Sequence, residues 1–259
     1  MFKRTILAGA LAVGMLAALC GPGARAEALG VPKDRWVFPW AGAQAHSVYF
    51  SQRRDLAHAP ALKRAGEALA ERVGFALADA EIADLYACFP AAVELQAEAL
   101  GLGLDRPLTV TGGMRFAGGP WNTYALHMVA NLYLHLREAP RSRGLCCGNG
   151  GYATRFSLGV YSGSPPASGF QRIEAPFTLT PKETIALDPK PSSAVRLEAF
   201  SVGYRKDGAP ERAILAGRTA DDRRALAIST DAELLQALLR DEVAGLTFRC
   251  AETGEAAPV

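Results

Sequence analysis

The sequence predicts an α/β fold followed by a smaller β-rich module. Up to about Pro165, amphipathic helical patterns alternate with short apolar or β-branched runs, which is typical of a layered α/β unit. The stretch SGSPPASG (Ser162–Gly169) then has the composition of a linker. Short β-like runs dominate the remainder. We therefore expect an α/β domain over residues 27–165 and a β-rich, barrel-like domain over residues 169–259, with residues 1–26 as a separate N-terminal segment.

The first half of the α/β domain begins with RWVF (Arg35–Phe38), a short strand pattern that Pro39 ends, followed by a loop. Residues 59–73 place apolar side chains on one helical face, and Gly74 is suited to end that helix. We expect Asp79 to cap a helix and residues 82–89 (IADLYACF) to form a buried strand.

The second half continues the alternation. The patterns predict a helix over 91–100, a β-branched strand over 107–111 and an amphipathic helix over 122–138. Further strands are expected at 144–147 and 152–161. In the β-rich module we expect strands at 177–180, 194–204, 212–217 and 225–229, a hairpin turn at Asp207-Gly208, and a helix capped by Asp231.

Composition excludes some functions. The 259 residues are 49% hydrophobic and 21% charged, which suits a protein with a substantial core. The 28 basic and 26 acidic residues nearly cancel, so no charge pattern indicates nucleic-acid binding. The five cysteines are unevenly spaced and share no ligand spacing with the four histidines, so we expect neither a disulfide framework nor a metal site. We read Trp36, Trp40 and Trp121 as packing anchors.

The N-terminal segment resembles a secretory signal. Lys3 and Arg4 precede an apolar run, and Ala24-Arg25-Ala26 fits a cleavage site. The run is too short to predict a stable membrane span. The alternative interpretation is a buried element of an ordinary α/β domain.

Two glycine-rich stretches predict a shared site. The first, within TVTGGMRFAGGPWNTYALH, connects a predicted strand to a helix, and free backbone N–H groups at such a junction favour a phosphate or a developing oxyanion. Its glycines are Gly112, Gly113, Gly118 and Gly119. The second stretch, GLCCGNGG, contains the adjacent thiols Cys146 and Cys147.

These stretches resemble the thiolase-like acyltransferases, often named acetyl-CoA acetyltransferases. The strings that carry the resemblance are VPKDRWVFPWAGAQAH, DLYACFPAAVELQAEALGL, RPLTVTGGMRFAGGPWNTYALH and GLCCGNGGYATRFSLGVYS. They match the C-terminal half of the family, which implies half of a layered thiolase-like fold with a mixed sheet flanked by helices. Residues 169–259 resemble the additional C-terminal domain of one thiolase-like branch, mainly over EAFSVGYRKDGAPERAILAGRTADDRRALA.

The resemblance implies roles for single residues. Cys146-Cys147-Gly148 fits the family's Cys-x-Gly loop, which places Cys146 in the acid/base position, beside glycine N–H groups expected to lower its pKa. Tyr86 occupies the position of a polar side chain that stabilises an oxyanion. Met114 and Arg115 replace the family's His-Pro, and Arg115 is placed to reach a CoA phosphate. The predicted CoA-contacting glycines are Gly112, Gly113, Gly118, Gly119, Gly148 and Gly150.

The resemblance also implies a function. The family's nucleophilic cysteine lies in an N-terminal half that this sequence does not contain. We therefore expect an acyl-CoA acyltransferase that needs a second chain or segment, with the CoA thioester as substrate and no separate cofactor. The alternative is a non-catalytic module that binds acyl-CoA or a thiolase partner. Expected partners are a second copy of the chain or a thiolase N-terminal half. The resemblance extends to residues 17–31, which favours a cytoplasmic enzyme over an exported protein.

Overall fold

The computed structural model describes residues 23–174, 179–240, 243, 245–250 and 256–258. Most of the predicted signal segment lies outside these residues, although Gly23–Ala28 forms a short helix, α1. Within the described part of the chain, none of the helices combines the length and apolar character needed to cross a bilayer. Two compact units are present: residues 23–48 with 57–174, and residues 49–56 with those from 179 onward.

The first unit contains a five-stranded mixed sheet. Its strands are β1 (Phe38–His46), β2 (Ile82–Leu85), β3 (Arg143–Gly150), β4 (Arg155–Ser162) and β5 (Gln171–Glu174). Their order across the sheet is β2-β3-β4-β1-β5. The outer pairs β2–β3 and β1–β5 are parallel, and the two central pairs are antiparallel.

Helices cover both faces of this sheet. They are α2 (Pro60–Val73), α3 (Pro90–Leu100), the single turn α4 (Met114–Ala117) and α5 (Tyr124–Glu138). One core joins the buried faces of α2 and α3 to Leu145, Cys147 and Leu158 of the strands. A second core joins α5 to Cys146. Because neighbouring strand residues point to opposite faces, β3 contributes to both layers. The predicted α/β class is confirmed.

Several predicted elements differ from the structure. The first strand is β1, which runs through the segment predicted as a loop and includes Pro39. A register shift between Pro39 and Ala41 marks an irregularity where a residue lacking an N–H is tolerated. The strand FPWAGAQAH was missed because alanine and glycine have low β-propensity, although Ala41, Ala43 and Ala45 are buried.

Two further predictions were wrong. Residues 107–111 form no strand. Asp79 caps no α-helix either; it ends a 3-10 turn, Leu77–Asp79. The neighbouring Glu81 instead pairs with Arg143, with 2.9 Å between Oε1 and Nη2. Helix ends at Gly74 and Gly101 are confirmed, since both glycines adopt the left-handed conformation.

The second unit contains an antiparallel sheet that curls into a half-barrel. Its strands are β6 (Val195–Tyr204), β7 (Pro210–Arg218), β8 (Arg224–Ser229), β9 (Thr247–Cys250) and β10 (Ala256–Pro258), in the order β10-β9-β6-β7-β8. The Asp207-Gly208 turn joins β6 to β7, with Gly208 at φ 84°. Helix α6 (Ala232–Leu238) begins as predicted, because Asp231 accepts a hydrogen bond from the Leu234 N–H at 2.8 Å. Of the predicted strand at 177–180, the first two residues lie outside the described ranges, and Leu179 and Thr180 are not in a strand.

A buried arginine holds a distant segment against this second sheet. The Arg224 side chain is fully buried, and its guanidinium donates to the carbonyls of Arg53 at 2.6 Å and Arg54 at 3.2 Å. It also pairs with Glu198 at 3.0 Å. Residues 49–56 therefore belong to the β-rich unit, although more than a hundred residues separate them from it in sequence.

We expect Arg224→Met to lower the free energy of unfolding by about 3 kcal/mol, because it leaves buried carbonyl groups and part of Glu198 without donors. Urea unfolding followed by circular dichroism measures the change. Arg196→Met, at an exposed position on β6, is the matched control and should change stability by less than about 0.5 kcal/mol. Equal losses in the two variants would contradict a special role for Arg224.

Candidate functional site

Part of the predicted site lies at the carboxyl edge of β2 and β3. The two strands are parallel with Leu85 opposite Cys147, so both chains leave the sheet at the same edge. The first glycine loop (residues 112–119, hereafter the glycine loop) packs there, since the Met114 N–H donates to the Ala87 carbonyl at 3.4 Å. Gly113 has φ 75°, and a Cβ at this position would lie 3.3 Å from the Ala87 oxygen, so the close approach favours glycine.

Three of the positions singled out by sequence lie in one apolar cluster. Tyr86, Met114 and Cys146 pack with Tyr124 and Met128 of α5. The strand end, the glycine loop and the cysteine strand therefore converge on one place, although they are separated by up to 60 residues in sequence. This convergence is what the predicted shared site requires.

The second glycine-rich stretch is not a loop. Residues 143–150 form strand β3, so Gly148 and Gly150 lie within a β-hairpin and not around a ligand-binding turn. The turn itself comes later and places Tyr152 and Ala153 at φ 54° and 57°. In the glycine loop, Gly118 and Gly119 are exposed, as is Arg115.

Cys146 is a buried, protonated thiol. Burial raises its pKa well above the ordinary value, and the electrostatic effects of Asp84 and then of the neighbouring Cys147 raise it further. The expected lowering by glycine N–H groups is therefore wrong. Cys147 faces the opposite layer, where burial also raises its pKa. Of this adjacent pair, only Cys146 lies in the cluster with Tyr86.

Asp84 is a buried acid that the sequence analysis missed. Its Oδ1 accepts from the Thr109 hydroxyl at 2.8 Å, and its Oδ2 accepts from the Thr111 hydroxyl at 2.6 Å and the Thr111 N–H at 3.2 Å. Burial raises its pKa to about 6, partly offset by these hydrogen bonds. Asp84 lies opposite Cys146 in the parallel ladder. The sequence feature that could have identified Asp84 is its position as the single acidic residue in the apolar run IADLYACF.

Tyr124 places a hydroxyl group beneath the same edge. The residue is fully buried, its ring packs edge-on against Tyr86 with centroids 4.8 Å apart, and its hydroxyl has no hydrogen-bond partner among the described residues. Burial, followed by the charge of Asp84, raises its pKa to about 12, while the nearby Thr109 hydroxyl and the N–H groups of Ala87 and Gly113 act in the opposite direction. These donors lie near the Tyr124 hydroxyl oxygen, although none of them forms a hydrogen bond of regular geometry with it.

The segments at this edge carry no acidic residue. Residues 86–93, 111–123 and 147–156 lack Asp and Glu, and they contain the exposed Arg115 and Arg155. They also present large aromatic side chains to solvent: Trp121 is 87% exposed and Tyr152 is 82% exposed. Trp121 is therefore not the packing anchor predicted from sequence, whereas Trp40 is half-buried and donates to the Ser164 carbonyl at 2.7 Å. Cationic and aromatic groups without acids suit an anionic ligand with a planar part.

Comparisons with known proteins find similarity to thiolase-like proteins. Residues 174–255 match the family described as the thiolase-like protein type 1 additional C-terminal domain. A solved structure of a monomeric SCP2-thiolase-like protein type 1 from Mycobacterium smegmatis superposes with a TM-score of 0.75 and 29% identity. The alignment covers 90% of this chain and 53% of that one, so the chain spans about half the length of the matched protein. No curated protein matches. The predicted resemblance to a thiolase-like branch is confirmed.

We expect Asp84 to give the protein an unusual dependence of stability on pH. Because its folded pKa of about 6 lies above the ordinary 3.8, the native state holds an extra proton between these values. The stability due to that proton is fully present below about pH 4 and is lost as the pH rises through 6, an effect of about 3 kcal/mol. Urea unfolding at a series of pH values measures it.

The matched variant is Asp84→Asn, which has no titrating group at this position. The difference in unfolding free energy between the wild-type protein and Asp84→Asn should change between pH 4 and 7 and stay constant above pH 7. A constant difference across the whole range would contradict the raised pKa. The hydrogen bond from Arg143 lowers the pKa of Glu81 from 4.5 to about 2, so its contribution to stability is lost as the pH falls between these values. That contribution is the same in both proteins and cancels in the difference.

Proposed function

We propose that this chain binds an acyl-CoA thioester at the carboxyl edge of β2 and β3 and acts as the C-terminal half of a thiolase-like acyltransferase. The convergence of Tyr86, the glycine loop and Cys146 in one cluster carries the proposal. A thioester placed against this edge would meet backbone N–H groups of the glycine loop, a buried thiol and exposed arginines. These are the groups that acyl transfer from CoA needs for its oxyanion, its proton and its phosphates.

Cys146 is assigned the role of proton donor. A thiol with a raised pKa is protonated at neutral pH, so it can deliver a proton to a substrate carbanion more readily than it can remove one. The cysteine that accepts the acyl group in related enzymes has no counterpart among the positions that match. Acyl transfer would therefore depend on a thiol supplied from outside the described site.

Arg115 is expected to contribute to CoA binding, because an exposed guanidinium at the acid-free edge can pair with phosphate. We predict that Arg115→Ala weakens acetyl-CoA binding about fivefold, measured by isothermal titration calorimetry at low ionic strength. Arg141→Ala is the control, since Arg141 is also exposed but lies at the opposite, amino end of β3. Equal weakening by both variants would indicate only general charge attraction, and absence of binding to the wild-type protein would contradict the proposal.

A second candidate function is non-catalytic binding of acyl-CoA. The specific observations in its favour are Met114, which offers no hydrogen-bond donor where the family has histidine, and the protonated state of Cys146. In this function the edge would hold the thioester without changing it. The two functions differ in whether the substrate α-carbon exchanges its proton.

Exchange of the α-protons of acetyl-CoA in D2O separates these functions without requiring an acyl-accepting cysteine. Exchange requires both directions of transfer: the Cys146 thiolate removes an α-proton, the resulting thiol exchanges with solvent, and it returns a deuteron. If Cys146 does this, wild-type protein should catalyse exchange at a rate that rises with pH as the thiolate fraction grows, and Cys146→Ala should slow exchange by about a hundredfold. Cys147→Ala, which alters the adjacent thiol on the opposite face, should leave the rate within about twofold. Exchange can be followed by proton NMR. Tight binding without exchange would favour the non-catalytic function.

A further inference from the structure

The Asp84 carboxylate connects three elements that build the site. It lies on β2, it binds two residues that precede the glycine loop, and through Thr111 it is connected to Asn131 of α5, whose Nδ2 donates to the Thr111 hydroxyl at 3.0 Å. We propose that Asp84 is a positioning residue that fixes the glycine loop against the end of β2, and so sets where Gly113 and Met114 stand relative to a bound thioester. Only the reference to the thioester rests on the proposed function.

Thr109 connects the Asp84 carboxylate to the glycine loop through hydrogen bonds. Its hydroxyl donates to Asp84 Oδ1 at 2.8 Å and accepts from the N–H of Gly112, the first loop residue, at 3.0 Å. Gly112 in turn has φ 81°, so the chain turns sharply directly after this hydrogen bond. The hydroxyl group thus joins the buried strand to the start of the turn through two consecutive hydrogen bonds.

The geometry explains why the residue is an acid. Three donors from Thr109 and Thr111 point at two oxygen atoms, whereas an amide offers only one acceptor oxygen and would require the Thr109 hydroxyl to give up its donation. An apolar side chain would leave the Thr111 N–H unpaired. Among the described residues, no basic side chain forms an ion pair with Asp84. A buried carboxylate held only by neutral donors is costly for stability alone, which favours a positioning role.

The groups facing Asp84 are uncharged near neutral pH. From α5 the facing titratable group is Tyr124, and from β3 it is Cys146; the negative charge of Asp84 raises the pKa of both. The segment 109–112 contributes no titratable side chain. Changes in the loop between pH 5 and 7 therefore report on Asp84 itself.

Hydrogen–deuterium exchange on the intact protein tests the proposal without any ligand. Thr109→Val removes the hydroxyl bridge while keeping side-chain volume, and Thr109→Ser restores it. We expect the valine variant to raise amide exchange in residues 112–118 about tenfold relative to wild type, and the serine variant to stay within about twofold. Exchange within β4 should be unchanged in both. Thr123→Val, an exposed threonine before α5, is the matched control.

Asp84→Asn provides a second variant. It should loosen the same peptide and abolish any change of its protection between pH 5 and 7, whereas wild type should show one. Valine and serine variants that exchange alike, or an unchanged loop in Asp84→Asn, would overturn the proposal. Acetyl-CoA affinity is measured in parallel. If wild type binds no acetyl-CoA while the loop responds as expected, the proposed function fails and the positioning role stands.

Discussion

The parallel pairing of β2 with β3 is the constraint on which the site depends. It is fixed at the amino end by Glu81, whose carboxylate binds both the backbone N–H of Arg143 at 2.7 Å and its guanidinium. One residue of slip in this register would turn Cys146 away from α5 and bring Cys147 into its place. The chemistry available at the edge is therefore determined by a strand register as much as by the presence of two cysteines.

The candidate site combines a backbone loop and a thiol with largely apolar side chains. The glycine loop and a buried thiol lie close together, and the neighbouring side chains are a methionine and two tyrosines. Polar character is supplied from beneath the surface, by Asp84 and by the hydroxyl of Tyr124, and not by exposed acids or histidines. A dry environment of this kind strengthens electrostatic interactions and keeps thiols protonated, which is why proton donation is the role assigned to Cys146.

The second unit illustrates a different use of buried charge. The Arg224 guanidinium donates to backbone carbonyls of the segment 49–56, and the Glu198 carboxylate accepts a hydrogen bond from the same guanidinium. Replacing such a group by an apolar residue removes several interactions together. The β-rich unit is thus completed by a piece of chain that follows β1 and precedes the rest of the α/β unit in sequence.

The sequence by itself determined three helices, predicted at 59–73, 91–100 and 122–138 and found within two residues of those bounds. It also determined the hairpin at Asp207-Gly208, the two-part α/β and β-rich organisation, and the resemblance to thiolase-like proteins. These follow from local periodicity, from turn residues and from strings of residues at fixed spacing. Only the tertiary structure decided that the alanine-rich β1 is a strand, that Thr109 and Thr111 donate to the buried Asp84 in a segment that forms no strand, and that Cys146 is a buried thiol of raised pKa. Each of these depends on partners distant in sequence, because strand pairing, burial and the hydrogen bonds of a carboxylate are properties of the assembled layers and not of any local segment.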